Sequence, residues 1–130
     1  MDINHVQLVG NTTRDPEIKR TSSGQELTKV TVATNYSWID SKSKKKRESS
    51  EFHHVVAWGK IGELVGKYLH KGEKVMFEGR LVTKSWEVKG VKHYQTQIVA
   101  NNFILLSARK TADKIEVLAE EPSLEEIDED

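Results

Sequence analysis

The sequence contains no cysteine. That excludes a disulfide framework, a thiolate metal site and a cysteine nucleophile. It also lacks any run of about 18 apolar residues, so no membrane-spanning helix is expected. The opening residues, Met1-Asp2-Ile3-Asn4-His5, carry no basic patch followed by an apolar stretch. No secretory signal is read there, and a cytoplasmic protein is the default expectation. A length of 130 residues predicts one domain, or one domain with a tail. Net charge is missing too: 20 Lys and Arg balance 20 Asp and Glu. Taken whole, that zero argues against a polyanionic partner.

Mapped along the chain, the zero separates into two opposite parts. Residues 111–130 hold nine acids and one base, Lys114, a net of −8. Residues 1–110 hold 19 bases and 11 acids, a net of +8. From Thr111 onward there is no Phe, Tyr, Trp or Gly, and Pro122 breaks any long helix. Like charge without aromatics marks a disordered tail. The reading is a folded domain over 1–108 and an acidic tail over 109–130. Within the domain the densest basic run is Lys42 to Arg47. It reads as a mobile loop that attracts phosphates, with Lys44 and Lys45 as candidate contacts; a merely solvated loop and a nuclear import signal are the alternatives.

The pattern of apolar residues supplies the elements. Val6 to Val9 is a short strand ending at Gly10-Asn11. Leu27 to Trp38 is rich in Thr and Val and free of Gly and Pro, a strand long enough to coil around a barrel or bulge. Glu51 to Trp58 is the third strand, stopped by Gly59. Then the period changes. Ile61, Leu64, Val65, Tyr68 and Leu69 form one stripe of an amphipathic helix over Lys60 to His70. Lys74 to Glu87 returns to alternation, with Val75, Phe77, Gly79 and Leu81 on an apolar face. Glu78, Arg80, Lys84 and Trp86 fall on the other. His93 to Leu106 is the fifth strand. Three strands, one helix and two strands make an all-β domain: an OB-fold five-stranded barrel with a helix between strands 3 and 4, followed by the acidic C-terminal tail.

Most local motifs dissolve on inspection. Gly59-Lys60-Ile61-Gly62 has the GXXG form of a KH loop, but that loop joins two helices and this one follows a strand. Gly66-Lys67-Tyr68 lacks the upstream Gly and the hydroxyl residue of a phosphate loop. His53 and His54 are adjacent on a strand, so they point to opposite faces and cannot share one metal ion. No metal, cofactor or catalytic group is expected, and an enzyme is the most distant reading.

What survives is a set of aromatic residues interleaved with bases. Trp38 abuts the basic run, Phe52 and Trp58 share one strand face, and Trp86 follows Arg80 and Lys84. Rings that stack on bases, next to cations that meet phosphates, are what single-stranded nucleic acid requires. By periodicity alone, Phe52 and Trp58 could equally be barrel core, whereas parity exposes Trp86.

These residues carry a resemblance. Val6 to Asn11 followed by Arg14-Asp15-Pro16-Glu17 resembles the opening of bacterial single-stranded DNA-binding proteins. Ser37-Trp38, Glu51-Phe52-His53, Ala57-Trp58-Gly59-Lys60, Tyr68 to Gly72, Glu78 to Leu81 and Lys84-Ser85-Trp86 follow in that family's order, over residues 3–107. The resemblance implies base stacking by Trp38, Phe52, Trp58 and Trp86. It implies phosphate contacts at Lys19, Lys60, Lys71 and Lys84, and a subunit contact at His53. It further implies a cytoplasmic, nucleoid-associated homotetramer that coats single-stranded DNA in replication, recombination and repair. The family's tail closes on Ile-Pro-Phe, whereas this one closes on Ile127-Asp128-Glu129-Asp130 with Leu124 upstream. Docking of replication and repair proteins on Leu124, Ile127, Asp128, Glu129 and Asp130 is the corresponding expectation. Two other readings stay open here: a protein-interaction subunit of a replication complex, and an RNA chaperone of cold-shock type.

Overall fold

The computed structural model describes residues 1–107. The tail positions named above therefore lie outside the described residues. Six strands and one helix run in the order β1 (Val6–Thr12), β2 (Glu17–Arg20), β3 (Glu26–Ile39), β4 (Lys46–Trp58), α1 (Gly59–Tyr68), β5 (Lys74–Val88) and β6 (Val91–Leu105). In the sheet the order is β1-β5-β6-β4-β3-β2, and β1 also pairs with β3 through Asn11↔Ala33 and Thr12↔Val32. That last pairing closes five strands into a barrel, and β4 and β6 meet in parallel. This is the OB architecture that the element order predicts.

Alternation along the strands builds the core. Val30 and Val32 of β3, Val55 and Ala57 of β4, Val75 and Phe77 of β5 and Ile98 of β6 all turn inward. The helix covers one end with Leu64, Val65, Tyr68 and Leu69. Burial of each Val, Leu, Ile or Phe among them contributes about 1.5–3 kcal/mol. Two glycines of the GXXG sequence explain its presence without any ligand. Gly59 has φ of +60° at the strand-to-helix corner, a conformation that a residue with a Cβ resists. Gly62 packs so closely that a Cβ would fall 2.3 Å from the Ala57 carbonyl oxygen. There the Thr28 hydroxyl donates a 2.7 Å hydrogen bond to the Gly62 carbonyl, fastening the helix to β3.

Three features differ from the sequence reading. First, β2 flanks the barrel on the edge of β3; its residues are all exposed, so it shows no alternation to read. Second, β4 begins at Lys46, five residues early, because Lys46 and Arg47 pair with Ile39 and Trp38. Third, the Lys42–Arg47 run is not a loose loop. The Asp40 amide donates to the Lys45 carbonyl, the Lys44 amide donates to the Asp40 carbonyl, and the Lys42 amide donates to the Asp40 carboxylate. That amide lowers the pKa of the Asp40 carboxyl. Lys44 and Lys45 therefore sit at a hydrogen-bonded hairpin tip, with Lys44 at φ +61°.

Candidate nucleic-acid interface

Register defines one continuous outer face. Cross-strand partners share a side, so Lys19, Leu27 and Trp58 form one row across β2, β3 and β4. Glu17, Lys29, Val56, Val99 and Arg80 form the next, continuing over β6 to β5. Beyond them come Lys84 opposite Gln95, then Trp86 opposite His93. The strands thus gather cations from β2, β3 and β5 on a surface bounded by Trp58 on one side and Trp86 on the other. All three tryptophans and Phe52 stand out of the core: Trp38 is 42% exposed, Phe52 60%, Trp58 40% and Trp86 43%. For Phe52 and Trp58 this decides the question that periodicity leaves open.

The rings do not all share one side. β3 and β4 pair without a register shift from Leu27↔Trp58 to Ile39↔Lys46. Trp38 is therefore on the face of Val30 and Val32, carried past the end of the barrel, while Phe52, Val56 and Trp58 lie on the reverse. Trp38 stacks on Tyr36 with ring centroids 5.6 Å apart. Trp86 stacks on His93 at the same 5.6 Å separation. Each hairpin arm thus carries a pair of stacked rings, and neither Tyr36 nor His93 is singled out by spacing in the sequence.

Among the predicted bases, Lys19, Lys60 and Lys84 line clefts on this face. Lys60 adjoins Trp58 with Gln25 and Asn101, Lys84 adjoins Trp86 with Gln95, and Lys19 lies with Arg14 and His54. Lys19 also pairs with Glu17 at 3.2 Å. Lys71 follows α1, where its amide donates to the Asp15 carboxylate at 2.8 Å, and Asp15 lines the same cleft as Lys19. Lys44 and Lys45 are apart from these, at the arm tip. His53 and His54 do diverge. His53 is half-buried, with Nε2 2.8 Å from the Thr34 hydroxyl, and His54 is exposed on the same outer face of β4 as Phe52. Among the described residues no group of three or more His, Asp or Glu side chains is placed to hold a metal ion. No helix among them is long and apolar enough to cross a membrane.

Lys29 is the residue the sequence reading passes over. It sits in a Thr/Val-rich strand where any polar residue reads as mere alternation. Its pKa is lowered, first by partial burial and then by the like charges of Lys19 and Lys84, with Glu17 opposing. A folded-state lysine pKa below the unfolded value disfavours the fold while the ammonium is charged. The penalty is released as pH rises through the folded pKa toward about 10.4.

Fold and face together define a class: a small OB barrel offering flat rings and clustered cations along an open groove. The model of the single-strand binding protein family matches residues 3–106, and the chain belongs to that family. Among solved structures it is similar to a Plasmodium falciparum SSB in complex with ssDNA, with a TM-score of 0.73 and 28% identity over 82% of this chain and 97% of that one. It is also similar to a deletion mutant of the single-stranded DNA-binding protein from Thermus aquaticus, with a TM-score of 0.70 and 30% identity over 83% of this chain and 52% of that one.

Proposed function

We propose that this protein binds single-stranded DNA without sequence preference, stacking bases on its exposed rings and neutralising phosphates with its lysines. One observation carries the reading. The outer face sets Trp58 and Trp86 on either side of Lys29, Arg80 and Lys84, in clefts shared with Gln95, Gln97 and Val56. Stacking is indifferent to base identity because every base has a flat face, and contributes about 1–3 kcal/mol per base. The phosphate contacts release counterions, so the logarithm of affinity should fall linearly with the logarithm of salt, by about 0.7 per phosphate neutralised. The duplex hides its base faces. Oligo-dT should therefore bind more tightly than a duplex of equal length, with a clear salt slope. A salt-independent affinity, or equal affinity for duplex, would sink the reading. Competition with poly-U tests the RNA alternative.

The role is protection of exposed strands in replication, recombination and repair, with no covalent step. The protein acts as a homotetramer. Supporting this is a cross-strand row of Val9, Met76 and Ile104 on the outer surface of the barrel, where Val9 and Ile104 are exposed. His53 sits at a further subunit contact. Light scattering should give four chains; a single chain in solution would refute the assembly but not the groove. The acidic tail, through Leu124, Ile127 and Asp128 to Asp130, meets partner proteins and competes with DNA for the basic domain. Deleting residues 111–130 should then tighten oligo-dT binding at low salt, and an unchanged affinity would reduce the tail to a solubility element.

A further inference from the structure

Three of the clefts on the outer face meet. One runs toward Trp58 and Arg80, one toward Trp86 and Gln95, and one toward Arg14, Lys19 and His54. Lys29 lines all three, and it is the one residue common to them. A chain that lays one base on Trp58 and another on Trp86 has to carry its backbone across this junction. Positive charge is also crowded at the junction. Lys19 and Lys84 both repel Lys29, and the carboxylate nearest in register, Glu17, is engaged at 3.2 Å with Lys19. Without an anion the arrangement is self-repelling, and a phosphate between the ammonium groups relieves it.

We propose that Lys29 is the central phosphate-binding residue of the groove, holding the phosphodiester where the strand crosses from the Trp58 cleft to the Trp86 cleft. This rests on the reading of the face as a single-stranded DNA interface. It adds a residue and a strand path that the aromatic pattern does not give. The position favours lysine for its contact with DNA and against its own stability. Its neutral replacement therefore separates a ligand contact from a structural one.

The test compares wild type with Lys29→Gln and Lys29→Arg by oligo-dT titration over a tenfold range of salt. Losing one phosphate contact removes about 0.7 from the salt slope. The affinity ratio of wild type to Lys29→Gln should thus shrink by roughly fivefold for each tenfold rise in salt. Lys29→Arg should restore the slope. Oligo-dT with neutral methylphosphonate linkages should bind wild type and Lys29→Gln alike. Melting of Lys29→Gln should occur at or above the wild-type temperature, because repulsion from Lys19 and Lys84 is gone. A wild-type slope in Lys29→Gln overturns the proposal while leaving the broader reading standing. A lowered melting temperature with an unaltered slope does the same, returning Lys29 to a packing role. If wild type itself fails to bind oligo-dT, both this proposal and the functional reading fall.

Discussion

Replacing Trp86 with alanine should weaken oligo-dT binding by about 1–3 kcal/mol, roughly 5- to 150-fold. The ring is on the outer face of β5, paired across to His93 and stacked on it. It closes the end of the groove that Lys84 and Gln95 also line. None of its neighbours on that face belongs to the barrel core, so truncation opens no buried cavity and the melting temperature should hold. Affinity and stability thus move independently for this residue. Trp58→Ala should behave alike for DNA but lower stability somewhat, since Trp58 packs where β4 turns into the helix. Isothermal titration at fixed salt, paired with thermal melts, checks both. An unchanged affinity in Trp86→Ala would mean that its ring only buttresses the β5–β6 arm.

The opposite separation is expected at Phe77. Its side chain is fully buried at the centre of β5, between Leu8 and Phe103 in register, with the Phe103 ring 6.2 Å away. Phe77→Ala removes most of a buried ring and leaves a cavity that a closed barrel collapses poorly, at a cost of about 3–5 kcal/mol. Domains of this size are stable by only about 5–15 kcal/mol, so the loss consumes a large share of the total. The melting temperature should drop by roughly 10–40 °C. Urea titration should show a lower midpoint with a similar slope. At a temperature where the variant remains folded, its affinity for oligo-dT should match wild type, because Phe77 faces away from the groove. A loss below about 1 kcal/mol would contradict the placement of Phe77 in the core.

These two residues lie nine apart on one strand, and their opposite roles were legible from alternation. Val75, Phe77 and Gly79 turn inward and Arg80, Lys84 and Trp86 turn outward, as period two dictates. The bulge in the β5–β6 pairing lies at Asn101, on the β6 side, so the parity of β5 passes through it undisturbed. The helix was equally legible, because its stripe packs on a single core. Other elements depend on partners distant in the chain. Nothing in Glu17-Ile18-Lys19-Arg20 announces a strand; it exists because the edge of β3 offers backbone partners. Lys46 and Arg47 read as loop and are strand, since pairing with Trp38 and Ile39 outweighs their own preference.

The site divides in the same manner. The four aromatic positions were visible as residue types next to bases, and their exposure decides in favour of a surface. The side each one faces was not visible, because it follows from an unbroken register along thirteen paired positions of β3 and β4. Lys29 was not visible at all, since its surroundings come from β2, β4, β5 and β6 together. The opening balance of charge proved the least informative number in the chain. Part of its basic half gathers on one face of a barrel, where local density and not the total sets what binds.

The central claim is that the exposed flat rings meet bases directly. Titrating the protein with oligo-dT while following tryptophan fluorescence tests it most directly. Stacking on Trp38, Trp58 and Trp86 should quench the emission strongly and to saturation, with duplex of equal length producing little change. Tight binding of oligo-dT with unquenched tryptophans would contradict the account, leaving phosphate attraction without stacking.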